Sequence, residues 1–316
     1  MPRSPSRRPD ATPEIHTKGN PTIESLSDPV RWLTPVERRT LLAAGAAILA
    51  ALTGCAPTLR LFSTAHPTSA GDALGRRVQA REASDLRLPS TGDSSAAPVP
   101  IPPPRPGLPV LVTHGPGELK ALALTIDDGT SADVVACYVA FALQTGFALT
   151  FFPNGSVRGN WEPRAQALRP LIERGQVQIG NHTWAHSDLR GMSDTAIRAD
   201  LERNDEWIQK TFGITSRPWL RPPYGNRNVH TDGVAASLGF THIVNWSGTF
   251  GDSAVKTPTE ILGAADLYGN PGAIILGHAN HAPVTKLFGQ LLAVFAAKGL
   301  AGVTLDQMFG TSRRLG

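Results

Sequence analysis

From Val110 to the end of the chain, short apolar runs alternate with amphipathic stretches, and this alternation limits what the chain can fold into. "ALALTID" (121–127) reads as a buried strand, with a helix expected over 131–145. "FALTFF" (147–152) is the next strand, "EPRAQALRPLIERG" (162–175) the next helix, and "VQIG" (177–180) a short third strand. "SDTAIRADLERNDEWIQKTFG" (193–213) opens on a Ser/Asp cap and keeps a 3.6-residue period, which predicts a helix. "PWLRPP" reads as strand-to-loop, 228–238 as a helix and "FTHIVNW" as a strand. "TPTEILGAADL" and "PVTKLFGQLLAVFAAKG" are helices on either side of the strand "GAIILGH", and "GVTLDQMF" closes the chain as a strand and turn. Strands alternating with helices predict a parallel sheet covered by helices. Chemistry in such folds gathers at the C-terminal ends of the strands. Those places here carry "DDG", "NHTWAH", "RPPY" and "GHANH".

Two of these segments have the composition of a metal site. His182 and His186 stand at i and i+4, so on a helix or tight helical turn both rings reach one point. Alone, such a pair is as compatible with a solvated turn. Asp127 and Asp128 end a hydrophobic strand side by side, where two carboxylates repel unless a cation or a basic partner compensates. One as a metal ligand and the other as a general base resolves that conflict; a helix N-cap is the plainer reading of Asp-Gly by itself.

Charge argues against a nucleic-acid surface. The net +4 comes from residues 1–109, with 13 Lys/Arg against 9 Asp/Glu, whereas residues 110–316 carry 17 of each. No basic block with interleaved aromatics is present.

The first 109 residues read as targeting and tether. Leu41–Leu52 is apolar and follows Arg38-Arg39; at 12 residues it is shorter than the roughly 20 of a spanning helix and suits a signal-peptide h-region. Leu52-Thr53-Gly54-Cys55 resembles a bacterial lipobox, in which the cysteine becomes lipidated, and "ERRTLL" resembles a twin-arginine export signal without the fuller consensus. Residues 1–54 are therefore expected to be a signal peptide with a disordered extension, and 55–109 a Pro/Ser-rich linker. The localisation that follows is the outer face of the cell membrane, held by lipid on Cys55. Cys137, in "DVVACYVAFAL", reads as a small core residue.

Several short motifs in one order then carry a resemblance. "TIDDG" is similar to the T-F-D-D-G of polysaccharide deacetylases with NodB homology, carbohydrate esterase family 4, with Ile126 in place of Phe. "HTWAH" matches H-[ST]-x-x-H, "RPPYG" matches R-x-P-[YF], "LGH" (276–278) matches L-x-H, and "LTFFPNG" (149–155) resembles the second strand. The resemblance runs from about Leu119 to about Phe309 and implies a distorted (β/α) barrel over 110–316.

It also implies roles. Asp128, His182 and His186 would bind a divalent metal, most often zinc in this family. Asp127 would be the base toward water, paired with Arg221, which keeps it ionised. The Tyr224 N–H would donate to the oxyanion, and His278 would protonate the leaving amine. Leu276 would line the acetyl pocket and Trp246 wall it. The family commonly reads W-S-x-D-x-x-D where this chain has "WSGTFGD", with Thr249 at the first aspartate and Asp252 at the second. Tuning of the histidine acid is therefore missing or supplied differently, with Asn280 and His281 as candidate substitutes. The function implied is removal of N-acetyl groups from a cell-envelope polysaccharide, peptidoglycan or chitin-like, by a monomer. An O-acetyl esterase with the same site and a non-catalytic sugar-binding surface lipoprotein are the alternatives.

Overall fold

A computed structural model describes residues 107–311. The expected signal peptide and nearly all of the linker, Cys55 included, lie outside the described residues. Nine short strands are β1 Val110–Val112, β2 Ala121–Asp128, β3 Leu149–Pro153, β4 Val177–Ile179, β5 Trp219–Leu220, β6 His242–Val244, β7 Gly248–Thr249, β8 Ile274–His278 and β9 Ala301–Gly302. Helices between them are α1 Ala132–Thr145, α2 Arg158–Trp161, α3 Ala165–Glu173, α4 Asp194–Phe212, α5 Val229–Ser237, α6 Pro258–Tyr268, α7 Phe288–Ala297 and α8 Leu305–Phe309.

Every ladder between these strands is parallel. One sheet runs β4-β3-β2-β8-β7, with β9 on β2, and the other runs β1-β6-β5. A single parallel bridge, Asn181 to Leu220, joins β4's end to β5. The order is thus a distorted barrel, as the resemblance implied, built from the parallel strands that the alternation predicted.

Side-chain alternation defines its two faces. On β2, Leu122, Leu124 and Ile126 enter the core that α1, α3 and α7 cover. Ala121 and Ala123 instead face a second cluster with Phe152, Trp219, Val244 and Ile274, which is the barrel interior. Small alanines there leave room for Trp219, and Leu305, Met308 and Phe309 of α8 fill the rest. By the same period, Asp127 on β2 and Leu276 and His278 on β8 point to the inner face, and Asp127 lies in register with His278.

Helix α4 forms where the period and caps demand: Ser193 Oγ accepts from the Ala196 N–H, and Gly213 ends it in the left-handed conformation. Two expectations are corrected. "GVTLDQMF" is a two-residue strand followed by a helix, because Thr304 and Gln307 form a capping box that starts α8. Residues 181–188, with both histidines, form no helix.

Candidate active site

Strand β2 delivers both aspartates, and the turn after it is built around glycine. Gly129 has φ +101°, and a Cβ there would lie 2.0 Å from Trp161 Nε1. That indole donates to the Asp128 carbonyl at 3.0 Å, so the close approach holds the backbone of the acidic pair. Asp128 itself has φ +67°. The other non-glycine residues with positive φ among those described are Thr183, His186 and Tyr224, so all four belong to this site. Left-handed backbone costs such residues about 1–3 kcal/mol each and survives where the surroundings dictate it.

The histidines converge through a loop, and not along a helical face. Asn154, at the end of β3, donates to the carbonyls of His182 at 2.5 Å and Thr183 at 3.2 Å. Asn181 Oδ1 accepts from the Thr183 N–H, and Thr183 Oγ1 from the His186 N–H. The two rings come within 4.9 Å, centroid to centroid. His182 Nε2 and His186 Nε2 each lie 3.4 Å from Asp128 Oδ1.

This donor set fits a divalent cation. His182 Nδ1 is 2.7 Å from the Arg221 carbonyl, which only accepts, so Nδ1 carries a proton and Nε2 is the nitrogen turned toward Asp128, where it would ligate an ion. Asp128 Oδ1 is buried and has no hydrogen-bond partner. Two imidazole nitrogens converging on a buried, unpartnered carboxylate oxygen make a donor set that a cation would satisfy. The three ligand atoms lie within 4.8 Å of one another, and the 3.4 Å spacings suit an ion with bonds of about 2.0–2.2 Å.

Charges in the cluster are strongly coupled. Burial disfavours the Asp128 carboxylate, but hydrogen bonds and charge from His182, with Asn280 and His186, hold its pKa well below the usual carboxylate range. Burial also opposes charge on His182, yet Asp127 and Asp128 outweigh it and raise that pKa. Burial and repulsion from His182 lower that of His186.

Arg221 is fully buried and donates to Asp127 Oδ1 at 2.7 Å. Its Nε donates to the Val244 carbonyl, and its guanidinium lies 4.5 Å over Phe152. Asp127 Oδ2 is left 3.5 Å from His182 Nε2. The expected Asp127–Arg221 pair is therefore formed. Tyr224, 65% exposed, sets its ring 4.8 Å from His186, and Trp246 stands 5.8 Å from the Arg221 guanidinium. Leu276 is buried below His278 on the same face of β8.

The partner of His278 is supplied differently from the family's usual pattern, by neither of the candidate substitutes. Asp252 supplies the partner: its Oδ1 lies 3.0 Å from His278 Nδ1, and its Oδ2 accepts the His278 N–H at 3.2 Å. Burial works against the imidazolium, but the Asp252 hydrogen bond and the nearby carboxylates prevail and raise the His278 pKa. Thr249 Oγ1 accepts from the Gly251 N–H, shaping the turn that leads to Asp252. Neither proposed substitute touches the ring, since Asn280 binds Asp128 and His281 Nε2 lies 3.1 Å from the Ser253 carbonyl. Asn154 and Trp161 are the residues that sequence reasoning missed. Asn154 was reachable, since it follows a strand end; nothing in the sequence marks Trp161.

Residues 114–243 match the family described as polysaccharide deacetylase. A peptidoglycan-N-acetylglucosamine deacetylase of Listeria monocytogenes is 26% identical over 202 residues, 62% of this chain and 40% of that protein. Chitin deacetylase 1 of Cryptococcus neoformans is 29% identical over 184 residues, covering 58% of this chain and 36% of that protein. The solved T48 deacetylase with substrate superposes with a TM-score of 0.54 at 28% identity, over 62% of this chain and 93% of that one. Residues 114–243 are thus similar to the polysaccharide deacetylases, and the described fold is like that of the solved T48 deacetylase. The chain spans well under half the length of the Listeria and Cryptococcus relatives.

Proposed function

We propose that the domain is a metal-dependent hydrolase that removes N-acetyl groups from an N-acetylglucosamine-type polysaccharide of the cell envelope. The observation that carries this reading is the pairing of Asp127 with Arg221 and of His278 with Asp252 around the Asp128–His182–His186 cluster. Asp128, His182 and His186 would hold the ion, with zinc the best match to two imidazoles and one carboxylate. When bound, it supplies Lewis acidity to water and to the acetyl carbonyl.

The rest is work for the chain's own groups. Arg221 fixes Oδ1 of Asp127, so Oδ2 is the oxygen that takes a proton as water adds to the carbonyl carbon. The Tyr224 N–H is the proposed donor to the oxyanion that forms, a contact typically worth about 3–4 kcal/mol. His278 has Nδ1 engaged by Asp252, which leaves Nε2 to give its proton to the nitrogen as the C–N bond breaks. The products are acetate and the free amine.

Names of the relatives point to peptidoglycan and chitin as substrate classes. The test is acetate release from acetylated chitooligosaccharide, peptidoglycan and acetylxylan. Release from the first two, lost in His182→Ala, is expected. Release from acetylxylan alone would make the domain an O-acetyl esterase, and release from none would leave a sugar-binding scaffold.

We also infer that the chain is exported and anchored by lipid on Cys55, which the apolar stretch before Leu-Thr-Gly-Cys supports. Among the described residues no helix is long and apolar enough to cross a membrane. Cys55→Ser is expected to shift the protein from the membrane fraction to the soluble one. An unprocessed full-length chain in the cytosol would refute export.

A further inference from the structure

Asn280 lies two residues beyond His278, where β8 leaves the sheet. Its Nδ2 donates to Asp128 Oδ2 at 2.7 Å. Its Oδ1 accepts from the Thr130 backbone N–H at 3.1 Å and from the Thr130 hydroxyl at 2.8 Å. A backbone N–H can only donate, so the atom facing it must be the amide oxygen, and the NH2 group must face Asp128. The orientation of this amide is therefore dictated by the chain and not open to a flip.

That orientation divides the two oxygens of Asp128. Oδ2 is occupied by a donor, while Oδ1 is buried, unpartnered and 3.4 Å from both histidine Nε2 atoms. We infer that Asn280, anchored by Thr130, is a positioning residue that makes Asp128 a one-oxygen metal ligand. A carboxylate with both oxygens free can turn about its terminal torsion and close on an ion through two oxygens, taking a coordination position that water or substrate needs. Asn280 removes that freedom before the ion arrives, which raises affinity by pre-organisation and keeps the position open. The segments it ties are 152 residues apart in sequence, so the ends of β2 and β8 must both be in place for the ligand to be set.

This inference rests on Asp128, His182 and His186 being the metal ligands, so the experiment separates the two ideas. The full chain, stripped of metal, is titrated with Zn²⁺ against a competing chelator, and the Co²⁺ form is examined by electronic absorption. Wild type, Asn280→Leu, Asn280→Ala, Thr130→Val and His182→Ala are compared. Asn280→Leu keeps the volume and loses the donor. Both Asn280 variants are expected to bind about 10–100-fold more weakly. Their Co²⁺ bands should weaken as the released carboxylate binds through two oxygens and raises the coordination number. Thr130→Val keeps the backbone N–H and should show a smaller loss in the same direction, which carries the test if an Asn280 variant fails to fold. A merely structural tie would lower the melting temperature of the metal-free protein and leave affinity and spectrum alone. Folded Asn280 variants with wild-type affinity and spectrum, beside a His182→Ala protein that binds nothing, would overturn the role of Asn280 and leave the metal site standing. Wild type that binds no metal would overturn both.

Discussion

Replacing Asp127 with asparagine is expected to lower kcat by about 10²–10⁴-fold, the usual cost of a lost general base, while metal content stays at the wild-type level. The adjacent substitution, Asp128→Asn, should fail differently. Its amide oxygen is a poorer donor than a carboxylate, so metal affinity falls first and activity follows, recoverable in part by excess ion. The distinction is built into β2: Asp127 faces the interior toward Arg221, while the left-handed turn at Asp128 sends the next carboxylate to the histidines. KM should move little in Asp127→Asn, because the base acts in the transition state more than in binding.

A stability effect accompanies the rate effect and sets the temperature for the assay. Arg221 is fully buried, and removing one partner of a buried ion pair typically costs about 3–5 kcal/mol. Asparagine retains an acceptor oxygen for Arg221 Nη1, and the Val244 and Asn245 carbonyls still receive the guanidinium, so the loss should be smaller than that. Thermal unfolding of the metal-free variant measures it. Equal metal loss in both aspartate variants, or an active Asp127→Asn enzyme, would show the roles to be wrongly assigned.

How much of this site could be read from the sequence depends on the kind of information each residue carries. Strand-end placement drew attention to the segments holding Asp127, Asp128, His182 and His186, because parallel strands bring their C-terminal ends to one mouth, while the resemblance singled out Arg221 and His278. The parallel sheet followed from the alternation, and its closure into a distorted barrel from the resemblance. The conformation of the histidine loop did not: an i, i+4 spacing suggests a helix, but here asparagine side chains of β3's end and of the loop itself bind the backbone groups that a helix would satisfy. Asn280 was visible as a residue, yet its role depends on which nearby group only donates, and Thr130 is 150 residues away. Asp252 shows the limit of reading by motif position. Thr249 left the partner either missing or supplied differently, and three residues of turn suffice to bring the next carboxylate to both the ring and the backbone of His278.

Asp252→Asn is the variant that tests this last arrangement. As the acid, His278 must be protonated when the C–N bond breaks, so activity persists only below its pKa and falls as pH rises through it. Burial lowers that pKa, and Asp252 together with the other carboxylates more than offsets the effect, so the folded value stands above the ordinary one for histidine. Removing the charge of Asp252 takes away the largest compensating interaction and leaves burial opposed only by the more distant Asp127 and Asp128. The basic limb of the kcat–pH profile should therefore move to lower pH, and kcat near neutrality should fall. The asparagine amide also reaches Nδ1 without fixing which nitrogen holds the proton, so part of the population presents an unprotonated Nε2 and cannot act as an acid. His278→Gln removes the group and should cost about 10²–10⁴-fold at every pH, flattening the basic limb altogether. A bound cation near the ring pulls the limb down in wild type and variant alike, so the comparison at equal metal loading carries the sign. A basic limb that stays in place in Asp252→Asn would assign it to a group other than His278, and one that moves up would contradict the role of Asp252 outright.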